Sequence, residues 1–196
     1  LEKSCKSPSF FVSLQSVCKI IVDLEAYYNM KITIINTEKS EKRYARKELD
    51  AFVCQLHDGT YRQHYIRDFK KEVCFAAEWV KVNGEMKAKA LNPLILLSLE
   101  NLRDLATTEE YKRLAIQQPY TLLCFLGHDG HSLHIVCQYT IAAPVPEGDL
   151  KAQSFMLNAQ SLTNAFRKLR YIYSSQLGTP LSEQEPTFAS SVKASY

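Results

Sequence analysis

Leu126-Gly127-His128-Asp129-Gly130-His131-Ser132-Leu133-His134-Ile135-Val136 joins two apolar runs through an Asp-Gly pair. An apolar run from Tyr120 to Leu126 meets an Asp-Gly turn and leaves as an alternating run from Ser132 to Tyr139. Two such runs flanking Asp-Gly predict a β-hairpin, because glycine accepts the positive φ of a tight hairpin turn. Side chains alternate along a strand, so Ser132 and His134 project from one face, where a hydroxyl and an imidazole can hold a phosphate. A second apolar run lies upstream, Leu94-Ile95-Leu96-Leu97-Ser98-Leu99-Glu100. If it pairs with the hairpin, a hydroxyl, a histidine and a carboxylate meet at neighbouring strand ends.

Working outward, 196 residues with 46% hydrophobic and 23% charged composition describe a folded domain, not a disordered or fibrous chain. The formal charge of +3 is too small to announce nucleic-acid binding by itself, and the basic excess lies in residues 1–98, with 16 Lys and Arg against 12 Asp and Glu. Six cysteines (5, 18, 54, 74, 124 and 137) show no CxxC spacing and read as reduced core thiols. No signal peptide and no run near the ~20 apolar residues of a membrane span is visible. The expectation is a cytoplasmic domain that does not enter membranes, a piece of a longer protein.

The pattern predicts a strand over 8–14, a helix over 16–29 and a strand over 31–36. A helix with a basic outer face is expected over 37–55, another helix over 60–71, and a strand over 73–82 around Trp79, closed by an Asn83-Gly84 turn. From residue 90 the pattern is an α/β unit: strand 94–99, helix 101–117 ended by Pro119, and strands 120–126 and 132–140. A loop covers 142–148. Phe155, Ala159, Leu162, Phe166, Leu169 and Tyr173 then recur at spacings of four and three, an apolar helical stripe made to pack on a sheet. Residues 1–72 read as an N-terminal portion packed on a core of residues 73–196, together one compact α/β (α+β) domain with a mixed, largely antiparallel sheet covered by helices.

The strand Leu94 to Asn101, the helix after it, the hairpin through His134, the long helix and the closing segment Pro186 to Tyr196 occur in an order that resembles the VirE N-terminal domain family, itself related to archaeo-eukaryotic primases. The resemblance covers roughly residues 70–196 and rests on the order of the parts. It implies a primase-like fold. In active relatives, carboxylates on adjacent strands hold divalent ions for phosphoryl transfer, and a Ser-x-His element contacts the nucleotide phosphate. Ser132 and His134 match that element. Where active members carry two acids on one strand, this chain has Ser98 and Glu100, and a neutral serine is a poor Mg²⁺ ligand. Glu183 or Glu185 are the candidates for a third acid. The resemblance therefore implies a catalytically degraded primase-like domain of a replication or mobile-element protein, with Glu100 and His134 as vestigial catalytic residues. No cofactor is expected, and Mg²⁺ or Mn²⁺ enters only if an active nucleotidyltransferase with an unusual acid set survives. The primase-like reading also expects Glu100 and His134 to open into one cleft.

Each residue also has a plainer role. Ser132 and His134 fit the solvent face of a hairpin whose Leu133 and Ile135 fill the core. Glu100 fits an acid near the start of the next helix. His128, His131 and His134 could suggest zinc, but strand alternation separates them. Lys42, Arg43, Arg46 and Lys47, with Tyr44 available to stack, and Arg167 and Arg170 on the long helix, could track a phosphate backbone or could be solvated surface. The expected partners are single-stranded nucleic acid, and a helicase-like region or partner protein. A purely structural interaction domain is the other alternative. No P-loop, dinucleotide fingerprint, His-Glu-x-x-His or Gly-x-Ser-x-Gly is present.

Overall fold

The apolar runs on either side of Asp129-Gly130 pair as expected. In the computed structural model, which describes residues 30–38, 41–57, 71–127, 129–139 and 152–193, they are strands β7 (Thr121–Leu126) and β8 (Leu133–Gln138) of an antiparallel hairpin. The strand β6 (Leu94–Leu99) pairs antiparallel with the other edge of β8, giving a sheet of order β6-β8-β7. Its register sets Ser98 opposite His134.

Among the described residues, five strands precede this unit. β1 (Lys31–Glu38) lies between β2 (Glu41–Glu48) and β3 (Lys71–Cys74), and β4 (Ala77–Val82) and β5 (Glu85–Leu91) form a hairpin around the Asn83-Gly84 turn. The strands thus form three sheets where one was expected, and every pairing among the described residues is antiparallel. Among the described residues there are three helices, α1 (Leu49–His57), α2 (Leu105–Ile116) and α3 (Ala152–Leu177). None of them is long and apolar enough to cross a membrane.

The sheet β6-β8-β7 is buried on both faces. Ile95, Leu97, Leu133, Ile135 and Cys137 point to a core shared with Leu162, Phe166, Leu169 and Tyr173, the α3 stripe anticipated from the sequence. Leu94, Phe125 and Val136 point the other way, into a second core with Ile32 and Ile34 of β1 and with Leu49, Phe52 and Phe75. Five consecutive residues of β8, Leu133 to Cys137, are buried for this reason. Cys74, Cys124 and Cys137 are buried thiols outside any disulfide.

Two expectations need correction. Residues 37–55 are not one helix: Glu41–Glu48 is a strand paired along its length with β1, and the helix starts at Leu49. The single strand over 73–82 is two strands, broken at Phe75-Ala76, and β5 had not been anticipated. The readings over 8–14, 16–29, 60–70 and 142–148 lie outside the described residues.

Candidate functional site

Ser98 and His134 sit on neighbouring strands in register, so their side chains share a face and touch, with Ser98 Oγ 2.9 Å from His134 Nδ1. Ser132, two residues before His134, places its Oγ 3.5 Å from Nε2. The Ser132 hydroxyl donates to Asp129 Oδ1 at 2.7 Å, and the backbone N–H of His131 donates to the same oxygen at 2.9 Å. A carboxylate only accepts, so Ser132 donates to Asp129; with the proton on Nε2, His134 donates to Ser132 and its Nδ1 accepts from Ser98. Four side chains form one hydrogen-bonded relay in which the imidazole is neutral and both its nitrogens are engaged.

The relay is closed. Ser132 and His134 are 4% and 7% exposed, and Phe125 packs beside the imidazole with ring centroids 5.4 Å apart. These residues were expected on a solvent face, but the second core covers that side of the sheet. Gly127 roofs the network: a Cβ there would stand 1.8 Å from Ser132 Oγ, 2.9 Å from His134 Nε2 and 3.0 Å from Asp129 Oδ1. Only glycine allows this backbone so close to the relay.

Burial dominates the electrostatics of His134, pushing its pKa down to about 4 against a partial counter-effect from Asp129. Asp129 feels partial burial, which works to raise its pKa. Hydrogen bonds from the Ser132 hydroxyl and from the backbone N–H groups of His131 and Ser132 outweigh that and hold it below the usual carboxylate value. The exposed end of the relay is therefore an anion. It opposes an approaching phosphate, and the neutral imidazole has no donor to spare.

The other candidates fall elsewhere. Glu100 is exposed just past the end of β6, whereas His134 is buried within the relay. The acid that serves the following helix is Asp104, whose carboxylate caps the Thr107 N–H at 2.7 Å. Glu185 pairs with Arg167 at 2.7 Å and Glu183 pairs with Arg170, so the proposed third acids and the proposed cations of α3 bind each other. His131 is exposed and its Nδ1 lies 3.1 Å from the Leu102 carbonyl. Among the described residues no three His, Cys, Asp or Glu side chains converge as a metal-holding group, and the Ser98 hydroxyl is committed to His134. This donor set does not fit a shared divalent-metal site.

The basic run lies on an edge strand, where alternation divides it. Arg43 and Lys47 share the face of Ile32 and Ile34, and Lys47 reaches Gln55 of α1, its pKa lowered by burial. Lys42, Tyr44 and Arg46 share the opposite face, and Arg46 bonds to Glu78 of β4 at 3.1 Å. Asp129, a member of the relay, and Gly127, its roof, are the residues that sequence reasoning missed. The available signal was Asp-x-His-Ser, in which an aspartate can accept from groups two and three residues ahead.

Residues 65–196 match the family model of the BT4734-like N-terminal domain. The chain belongs to that family. No curated protein and no solved structure matches it. The BT4734-like match contains the relay, Glu100, α3 and its ion pairs, and leaves β1, β2 and α1 outside.

Proposed function

We propose that this BT4734-like domain is a catalytically degraded primase-like module of a replication or mobile-element protein, which binds single-stranded nucleic acid in place of extending it. The observation that carries the reading is the closure of the Ser98–His134–Ser132–Asp129 relay beneath Gly127. In the primase-like comparison, Ser132 and His134 would meet a nucleotide phosphate and the Ser98 position would supply a metal-binding acid. Here the serine replaces that acid and bonds the histidine, so the two halves of the ancestral site satisfy each other. The order of strand, helix, hairpin, long helix and closing segment supports the same reading. Primase-like machinery that has lost its acids retains a surface for a nucleic-acid strand, and function must then be argued from that surface.

The test has two arms. Template-directed primer synthesis with Mg²⁺ or Mn²⁺ is expected to be absent. Robust synthesis abolished by Glu100→Ala would show that another acid completes the site and that the module is an active nucleotidyltransferase. Single-stranded DNA titrated at low ionic strength is expected to bind with micromolar or weaker affinity, on the order of 10⁻⁶–10⁻⁴ M, and to dissociate as salt rises. Absence of binding at low salt would transfer the reading to a protein-interaction domain.

A further inference from the structure

Glu78 is a buried carboxylate, 5% exposed, in the middle of a surface rich in cations. Arg46 of β2 reaches its Oε1 at 3.1 Å and Lys89 of β5 reaches the same oxygen at 3.6 Å. A carboxylate taken out of water requires such partners, and here they come from two different sheets, so Glu78 fixes the hairpin β4–β5 against β2. One negative charge holds two positive ones. Arg46 keeps half of its side chain exposed and Lys89 more than a third, so donors remain for a ligand.

The surrounding residues extend the same character. Strand alternation puts Lys42 and Tyr44 on the Arg46 face, giving cation, aromatic, cation along one side of β2. On the hairpin, Lys87 is opposite Val80, which shares the Glu78 face, and it is exposed. Among the residues that strand alternation and the Glu78 contacts place on this face, Lys42, Arg46, Lys87 and Lys89 outnumber Glu48, Glu78 and Glu85, and one of those acids is buried. On α3, Arg167 and Arg170 of the rival basic cluster are each paired with an acid of their own, Glu185 and Glu183.

We propose that this face, built by β2 and the β4–β5 hairpin around Glu78, takes the sugar-phosphate backbone of a single nucleic-acid strand. Lys42, Arg46, Lys87 and Lys89 contact phosphates, and Tyr44 lies against a base. Cations interleaved with an aromatic form the combination that binds single strands without reading sequence. The assignment rests on the binding function proposed above and adds its surface, including residues of a hairpin that no reading of the sequence had singled out.

Fluorescence anisotropy of a labelled thymidine oligonucleotide against the full chain tests it, with circular dichroism confirming that each variant is folded. Lys42 and Lys87 stand outside the Glu78 cluster, so the double variant Lys42→Glu/Lys87→Glu keeps the fold. It is expected to weaken binding roughly ten-fold or more and to reduce the salt slope by about 0.7 per lost phosphate contact. Tyr44→Ala is expected to weaken binding with the salt slope unchanged. Arg167→Glu/Arg170→Glu is expected to leave both unaltered. If the wild-type chain binds and Lys42→Glu/Lys87→Glu does not change it, the surface is wrong while the binding function stands. A wild-type chain that binds no oligonucleotide at low salt overturns both. Equal binding to phosphatidylserine vesicles, lost in the same double variant and indifferent to Tyr44→Ala, would make this a membrane-facing patch and overturn the assignment.

Discussion

His134 lies between two serines in a neutral state that burial enforces, and this gives the domain a defined acid sensitivity. Its folded pKa of about 4 lies below the ordinary histidine value of 6.5, so the unfolded chain binds the extra proton first as pH falls. Stability from this residue is complete above about pH 6.5 and is lost progressively toward pH 4, by about 3 kcal/mol over that window. Asp129, held below its usual value, acts in the same sense but at lower pH. Urea denaturation at pH 7 and pH 4.5 should show a much larger loss for the wild type than for His134→Gln. Equal losses would remove His134 as the cause. Gly127→Ala should destabilise the fold by about 1–3 kcal/mol, because its methyl group lands on the Ser132 hydroxyl and the backbone must move. An unchanged denaturation midpoint would mean that the roof yields freely. Ser132 and His134 were legible as a spacing, and Ser98 as a residue of the neighbouring strand. What was hidden was closure, because whether a strand face meets solvent or a second core depends on β1 and α1, far away in the chain.

Elements were legible where their period was clean and illegible where two periods agreed equally well. The α3 stripe repeats at three and four, and from Ala159 to Tyr173 the structure packs it as read. Glu41-Lys-Arg-Tyr-Ala-Arg-Lys-Glu is made mostly of good helix formers, and as an edge strand it has little apolar alternation to betray it. Pairing with β1 decides its state, which is tertiary context overriding propensity. The sequence pattern also starts α2 a few residues too early. Asp104 is extended, with φ of −157°, and its carboxylate takes the Thr107 N–H, so the helix begins after it and not at Asn101. Asp104→Ala should lower the thermal midpoint, and Asp104→Asn, which keeps a capping oxygen, should restore most of it. Equal melting of the alanine variant and the wild type would show that the cap contributes nothing measurable.

Across the whole molecule, the sheet β6-β8-β7 is common to both cores, with α2 and α3 on one side and the β1 sheet with α1 on the other. The sequence offers the continuous apolar run of β8 but not the partner that covers each face, since β1 bonds to β3 some forty residues on and Val73 bridges to Val192. A shared central layer ties the two cores together, so they should unfold as one. Ile135→Ala removes packing on the helix side and Leu94→Ala on the opposite side, and each side chain is fully buried. Each substitution should cost about 2–5 kcal/mol, as large-to-small changes in packed cores do. Both should shift a single transition that is the same by far-ultraviolet circular dichroism and by the fluorescence of Trp79, the only tryptophan. Trp79 reports from the hairpin, where its indole N–H donates to the Phe188 carbonyl at 3.1 Å. If Leu94→Ala instead separated the two signals into successive transitions, the second core would be an independent unit and the central sheet would not couple the layers.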